Sequence, residues 1–139
     1  MIILDTNVLS ELMKDRPAPA IEHWLDLQPT VSIWTTSVTI FEIRVGLLTM
    51  PLGRRRSLLE RDFERCVDEQ LQGRIADFDR TAAEETAMLL AQRKQAGRPV
   101  DLRDGMIAGI AIARHATLAT RNTRHFADLP VAVVDPWTA

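Results

Sequence analysis

A single cysteine, Cys66, is present among the 139 residues, so no disulfide framework within the chain exists. It falls in a charged helical pattern and reads as an inert packing residue. No stretch approaches the ~20 apolar residues of a membrane span, and neither a basic leader nor a cleavage site precedes the first apolar run. A cytoplasmic protein is the expectation. The three histidines, His23, His115 and His125, lack zinc-like spacing. Charge of one sign is lacking too: 17 basic against 19 acidic residues leave a net charge of -2. That balance gives no global pull toward nucleic acid, yet permits a local basic face. There is no internal repeat and no low-complexity segment. What is there, 46% hydrophobic and 26% charged residues, is the composition of an ordinary globular protein, read as one domain over 1-139.

The first informative residue is Asp5, directly behind the apolar run Met1-Ile2-Ile3-Leu4. Such a run reads as a buried strand that presents a carboxylate at its C-terminal end. Burying that charge costs on the order of several kcal/mol unless a cation or hydrogen bonds compensate it. Residues 7 to 14 then predict a short helix, and Pro17-Ala18-Pro19 separates it from a second around Ile21 to Leu27. Val31 to Thr35, β-branched and aromatic, predicts a strand. Ser37 is suited to cap a helix running to about Thr49, before Pro51. In it Val38, Phe41, Val45 and Leu48 form one stripe, while Ile40, Ile43 and Leu47 cover the opposite side; a helix apolar nearly all round is expected to be buried. Glu42 lies on that helix, one turn from Gly46.

Residues 54 to 72 show helical pattern, with Leu58, Leu59, Phe63 and Val67 inward and solvated charges outward. The Arg54-Arg55-Arg56 cluster is a candidate phosphate-contacting patch. Ile75 to Phe78 predicts a third strand, and 80 to 96 an amphipathic helix ended by Gly97 and Pro99. Asp101 opens a small-residue apolar helix suited to close packing on a sheet. Thr117 to Thr120 and Val131 to Val134 supply the last strands. Strands alternating with helices imply an α/β fold, a parallel sheet covered on both faces.

Three acids stand at the edges of buried elements: Asp5, Glu42 and Asp104. In an open parallel sheet, the carboxyl ends of strands and the adjoining helix N-termini converge on one crevice. Several acids there make a site for a hard cation, Mg²⁺ or Mn²⁺, and the chemistry that follows is metal-activated water attacking a phosphodiester. Each acid also has a plain structural reading. Asp5 could cap the next helix, Glu42 could pair with an arginine, and Asp104 could complement a helix dipole, with Asp101 as the cap. Arg44 projects to another face of its helix from Glu42, and Asp104, beside Gly105, reads more readily as a ligand than Asp101.

Ile3-Leu4-Asp5-Thr6-Asn7-Val8-Leu9-Ser10-Glu11-Leu12, Phe41-Glu42-Ile43-Arg44-Val45-Gly46-Leu47, Asp104-Gly105-Met106-Ile107-Ala108 and Thr120-Arg121-Asn122 together resemble the PIN-domain ribonucleases. The likeness is to VapC-type toxins, in particular the FitB-like branch, and it runs in order and spacing over essentially the whole chain. The resemblance implies a three-layer α/β/α sandwich with a mainly parallel central sheet, a Mg²⁺-dependent endoribonuclease, homodimerisation and inhibition by a VapB-type antitoxin. Asp5, Glu42 and Asp104 match the family's three principal acids. At its fourth acidic position Asn122 stands in the Thr-x-Asn/Asp pattern, and His125 replaces the Asp of a following Asp-Phe pair. An amide brings no charge to a metal site.

Thr6, Asn7, Ser37 and Thr120 are expected near the crevice, either orienting carboxylates and water or forming caps and turns. Arg121, Arg124 and His125 are candidate contacts to the RNA backbone. Trp24, Trp34 and Trp137 read as core or interface residues rather than base-stacking platforms. Two rival functions remain. A phosphoryl-transfer enzyme with a phospho-Asp5 intermediate would, in the haloacid-dehalogenase pattern, need a second Asp where Asn7 stands; in the receiver pattern it would need a late lysine, but Lys94 is the last. A non-catalytic PIN-like binding module is the other.

Overall fold

The computed structural model describes residues 1–139. Its strands are β1 (Ile2–Leu4), β2 (Ile33–Thr36), β3 (Ile75–Ala76), β4 (Thr117–Ala119) and β5 (Val133–Val134). They form one sheet in the order β3-β2-β1-β4-β5, with every pairing parallel. The helices are α1 (Thr6–Leu12), α2 (Pro19–Asp26), α3 (Ser37–Leu48), α4 (Arg54–Arg65), α5 (Arg80–Gln95) and α6 (Leu102–Ala113).

Side chains alternate across the sheet, as strand geometry requires. Leu4, Ile33 and Ala119 face one core with Val8, Leu9, Trp24, Ile43, Leu47, Phe63 and Cys66. Ile3, Ala76 and Leu118 face the other, made with Leu89 of α5 and Ile107, Ala108, Ile110 and Ala111 of α6. The result is the expected three-layer α/β/α architecture. Both faces of the sheet are covered, which parallel sheets require.

Local chemistry explains most boundaries. Asp79 caps α5 by accepting from the Ala82 N–H at 3.0 Å, and Gly97, at φ +70°, turns the chain after it. Asp101 caps α6, accepting from the Arg103 and Asp104 N–H groups. Gly105 and Gly109 let α6 approach α5, because a Cβ on Gly109 would stand 1.9 Å from Thr86 Oγ1. No helix is long and apolar enough to cross a membrane.

Four details differ from expectation. Thr36, rather than Ser37, caps α3: its hydroxyl accepts from the Thr39 N–H at 3.0 Å. The expected strand at 31 to 35 begins only at Ile33, because Thr30–Ser32 form a tight 3₁₀ turn after Pro29. The helix predicted for 54 to 72 changes character: Cys66–Gln70 continue α4 with wider π-type turns, closed by Leu71 N–H to the Cys66 carbonyl at 2.9 Å. In α3 Ile43 and Leu47 are buried in one core and Val38, at the start of the other stripe, in the second, whereas Phe41, Val45 and Leu48 are exposed. A helix apolar all round carries no signal for which residues face the cores, and past its first turn the Phe41 side is left uncovered.

Candidate active site

Strand order reverses at β1, which has β2 and β3 on one side and β4 and β5 on the other. Chains leaving β1 and β4 at such a point diverge and leave a crevice beyond their carboxyl ends. Asp5 follows β1 and Thr120 follows β4, so register alone brings them together. The Asp5 N–H donates to the Ala119 carbonyl at 2.9 Å, which extends the pairing to the crevice floor.

Asp5 is 3% exposed and is held by three neutral donors. Thr120 Oγ1 donates to Oδ2 at 2.7 Å, Asn7 Nδ2 to the same oxygen at 3.1 Å, and the Thr6 N–H to Oδ1 at 2.8 Å. Asp5 thus does cap α1, the plain structural reading, but no cation is among its partners. Burial pushes its carboxyl above the usual range and the nearby Asp104 charge adds to this, while the Thr120, Thr6 and Asn7 donors offset only part.

Glu42, on the second turn of α3, accepts from Thr6 Oγ1 at 2.9 Å. Thr6 Oγ1 also lies 3.1 Å from Thr39 Oγ1, so one hydroxyl network links α1 to α3. Burial raises the Glu42 carboxyl as well; Asp5 and Asp104 add to the rise, and Arg103 opposes it. The arginine partner considered for Glu42 exists, but it is Arg103 of α6, at 3.8 Å. Arg44 instead reaches Glu64 at 3.6 Å and lies over the Phe63 ring. Asp104, in the first turn of α6, meets His125 Nδ1 at 3.0 Å.

The crevice therefore gathers Asp5, Glu42, Asp104, Thr6, Asn7, Thr120 and His125. Ser37 lies outside this network: its hydroxyl accepts from the Phe78 N–H at 3.0 Å and ties α3 to the segment after β3. Asn122 turns only its main chain inward, donating N–H to Thr120 Oγ1 at 3.0 Å, and its exposed side chain makes no hydrogen bond. Arg121 donates its N–H to Asn7 Oδ1 at 3.1 Å and stacks its guanidinium 4.7 Å from the centre of the Trp137 ring. Trp24 is buried and Trp34 packs on a core, as read from the sequence. Arg56 is held by Glu60 and by the Met50 carbonyl, leaving Arg54 and Arg55 solvated. The residues missed in the sequence are Arg103, Thr36 and Thr39. A threonine capping the Glu42 helix was the one available signal.

As ordered here, no three His, Cys, Asp or Glu side chains converge tightly enough to cage a metal ion. Glu42 is turned to Thr6 and Arg103, and Asp104 to His125. The donor set is nevertheless that of a hard cation: carboxylates of one sign, near enough to feel one another's charge, with neutral donors orienting the most buried of them. Mg²⁺ needs only one or two protein carboxylates and keeps several waters, so these residues fit it.

The PIN domain family model matches residues 2–132. The chain belongs to the PIN-domain family. VapC ribonuclease Y4jK of Sinorhizobium fredii is 39% identical over 137 residues, covering 99% of this chain and 98% of that protein. Toxin FitB of Neisseria gonorrhoeae is 33% identical over 137 residues, covering 99% of each. Among solved structures, FitAcB from Neisseria gonorrhoeae superposes with a TM-score of 0.88 at 32% identity, covering 100% of both chains. The likeness to VapC- and FitB-type PIN proteins read from the sequence is borne out over the full chain, as is the fold.

Proposed function

We propose that this PIN-domain protein is a Mg²⁺-dependent endoribonuclease, the toxin of a type II toxin–antitoxin pair, acting in the cytoplasm with Mn²⁺ as a possible substitute metal. The observation that carries the reading is Asp5: a carboxylate held almost out of water, with neutral partners and a like charge beside it. Such a group is expensive unless a cation completes it. Relatives named as a ribonuclease and a toxin, each matched over nearly their whole length, support the same reaction class.

Asp5, Glu42 and Asp104 would hold the metal. When bound, Mg²⁺ supplies Lewis acidity toward a phosphoryl oxygen and a water acidic enough to attack at neutral pH. The chain's own groups do the positioning. Thr120, Asn7 and the Thr6 N–H fix the Asp5 carboxylate, and the Thr6 hydroxyl fixes Glu42. His125 orients Asp104, and Arg103, beside Glu42, is placed to meet phosphate charge at the crevice mouth. Asn122 stands at the rim as a neutral amide able to hold a water. Arg121, Arg124 and His125 contact the RNA backbone.

The antitoxin assignment rests on the likeness to FitAcB and to VapC proteins, and a VapB-type partner is the expected inhibitor. Homodimerisation is supported by the exposed apolar stripe Phe41, Val45 and Leu48. The test is cleavage of total RNA with Mg²⁺, with EDTA, and with Asp5→Asn. Cleavage should occur only in the wild type with metal. Undiminished cleavage by Asp5→Asn would sink the assignment.

A further inference from the structure

Beside the crevice, on the far side of Asp104, lies a cavity of about 390 Å³ lined by Arg93, Arg98, Asp101, Asp104, Arg124 and His125 among others. Three arginines around one polar cavity invite the question of which charges are already matched. Arg98 pairs with Asp128 at 3.7 Å, and Asp101 is used as the α6 cap with Arg103 beside it at 4.0 Å. Asp104 faces His125. Arg93 and Arg124 have no carboxylate partner anywhere in the structure.

Arg93 is the unusual one. It projects from the last turns of α5, is only 9% exposed, and donates one Nη to the Ala127 carbonyl. That bond anchors the guanidinium against the loop that follows Phe126, without neutralising it. A guanidinium so buried normally has an anion. Its planar fork suits phosphate oxygens, which can accept two donors at once.

We propose that this cavity seats a phosphate of the RNA backbone neighbouring the scissile one, with Arg93 as its buried floor and Arg124 as its exposed wall. The proposal rests on the nuclease reading for its substrate and deepens it. Because Asp104 and His125 line both the cavity and the crevice, a strand seated here continues directly onto the acidic site. The arginines also offset the repulsion that three acids impose on an approaching polyanion. Backbone charge, not base identity, is what such a seat reads.

Binding without metal separates this seat from catalysis. A short labelled single-stranded RNA is titrated in EDTA by fluorescence anisotropy at several salt concentrations. Arg124→Gln, an exposed change that leaves folding intact, should weaken binding about tenfold, in line with loss of one charge-assisted hydrogen bond. It should also reduce the salt slope by about 0.7, the value for one lost single-strand phosphate contact. Arg93→Met should do at least as much, read only if its circular dichroism matches wild type. Arg80→Gln, at the exposed start of α5, is the control for general charge and should change neither reading.

An RNA made neutral at one linkage by methylphosphonate should cost wild type more than Arg124→Gln alone does, and should cost Arg124→Gln less than it costs wild type, because only the Arg93 contact is left to lose. If Arg124→Gln binds RNA like Arg80→Gln, or if no single linkage shows the coupling, the seat does not exist. Intact cleavage with unchanged affinities overturns the seat alone. Absent cleavage with the affinity losses in place overturns the nuclease reading and leaves the seat standing.

Discussion

Adding one methyl group to Gly109 should destabilise the protein, and adding the same group to Gly46 should stabilise it. Both glycines lie in helices, Gly109 in α6 and Gly46 in α3, so each Gly→Ala change gains roughly 0.5–1 kcal/mol of helix preference. Around Gly46 a Cβ meets nothing within 4 Å. That gain is therefore unopposed. At Gly109 the Cβ would lie 1.9 Å from Thr86 Oγ1, 2.7 Å from the Ala82 carbonyl and 3.0 Å from Thr86 Cβ.

Two of those neighbours belong to backbone or to the root of a short side chain, so α5 and α6 must separate. Overpacking of this kind costs typically 1–3 kcal/mol, and contacts this short belong at the upper end. The net loss should be about 2 kcal/mol. For 139 residues an unfolding entropy of roughly 290 cal/mol/K makes each kcal/mol worth about 3.4 °C in Tm. Thermal denaturation followed by circular dichroism should thus show Gly109→Ala lower by about 7 °C and Gly46→Ala higher by about 2–3 °C. Adding Thr86→Ala to Gly109→Ala removes the shortest contact but leaves the Ala82 carbonyl, so rescue should be partial. If Gly109→Ala melted at or above the wild type, the close approach of α5 and α6 would be wrong.

Metal linkage should be visible in the same assay: Mg²⁺ at about 100 times its Kd stabilises by ~2.7 kcal/mol, roughly 9 °C here. EDTA should reverse the shift, and an equal shift in Asp5→Asn would remove Asp5 from the ligand set. For the metal-free protein, burial holds Asp5 and Glu42 above their ordinary values of 3.8 and 4.5, so their contribution to stability is complete below those values and is lost as pH rises through the raised ones. Glu11, held low by Lys14, acts oppositely, contributing above 4.5 and losing it as pH falls. Denaturant titrations should therefore show stability declining from mildly acidic to neutral pH, and the same slope in Asp5→Asn would refute the Asp5 part. Cys66 is fully buried, donates to the Leu12 carbonyl, and has its thiol pushed up by burial, so a thiol reagent should modify it no faster than the protein unfolds. Labelling faster than unfolding would contradict that burial.

The amino-acid order alone determined a good deal of this protein. Alternating strand and helix patterns gave the parallel sheet, Asp79 and Asp101 announced their helices, and Gly97 announced the end of one. These signals are local, set by backbone geometry and capping within a few residues. The acids Asp5, Glu42 and Asp104 were also legible, because a charge at the edge of a buried element is costly wherever it occurs.

What tertiary structure decided is which groups face which. Nothing in the sequence near Glu42 names Arg103, since their pairing depends on how α6 crosses toward α3. Thr120 meets Asp5 across 115 positions of chain only through the register of β4 on β1. The same holds for α3, apolar all round, whose Ile43 side was chosen by packing and whose Phe41 side was left exposed. Arg93 shows the contrast most clearly. In sequence it is one more charge on an amphipathic helix, and only the fold buries it without an acid, because burial is a property of the whole packed chain and not of any segment of it.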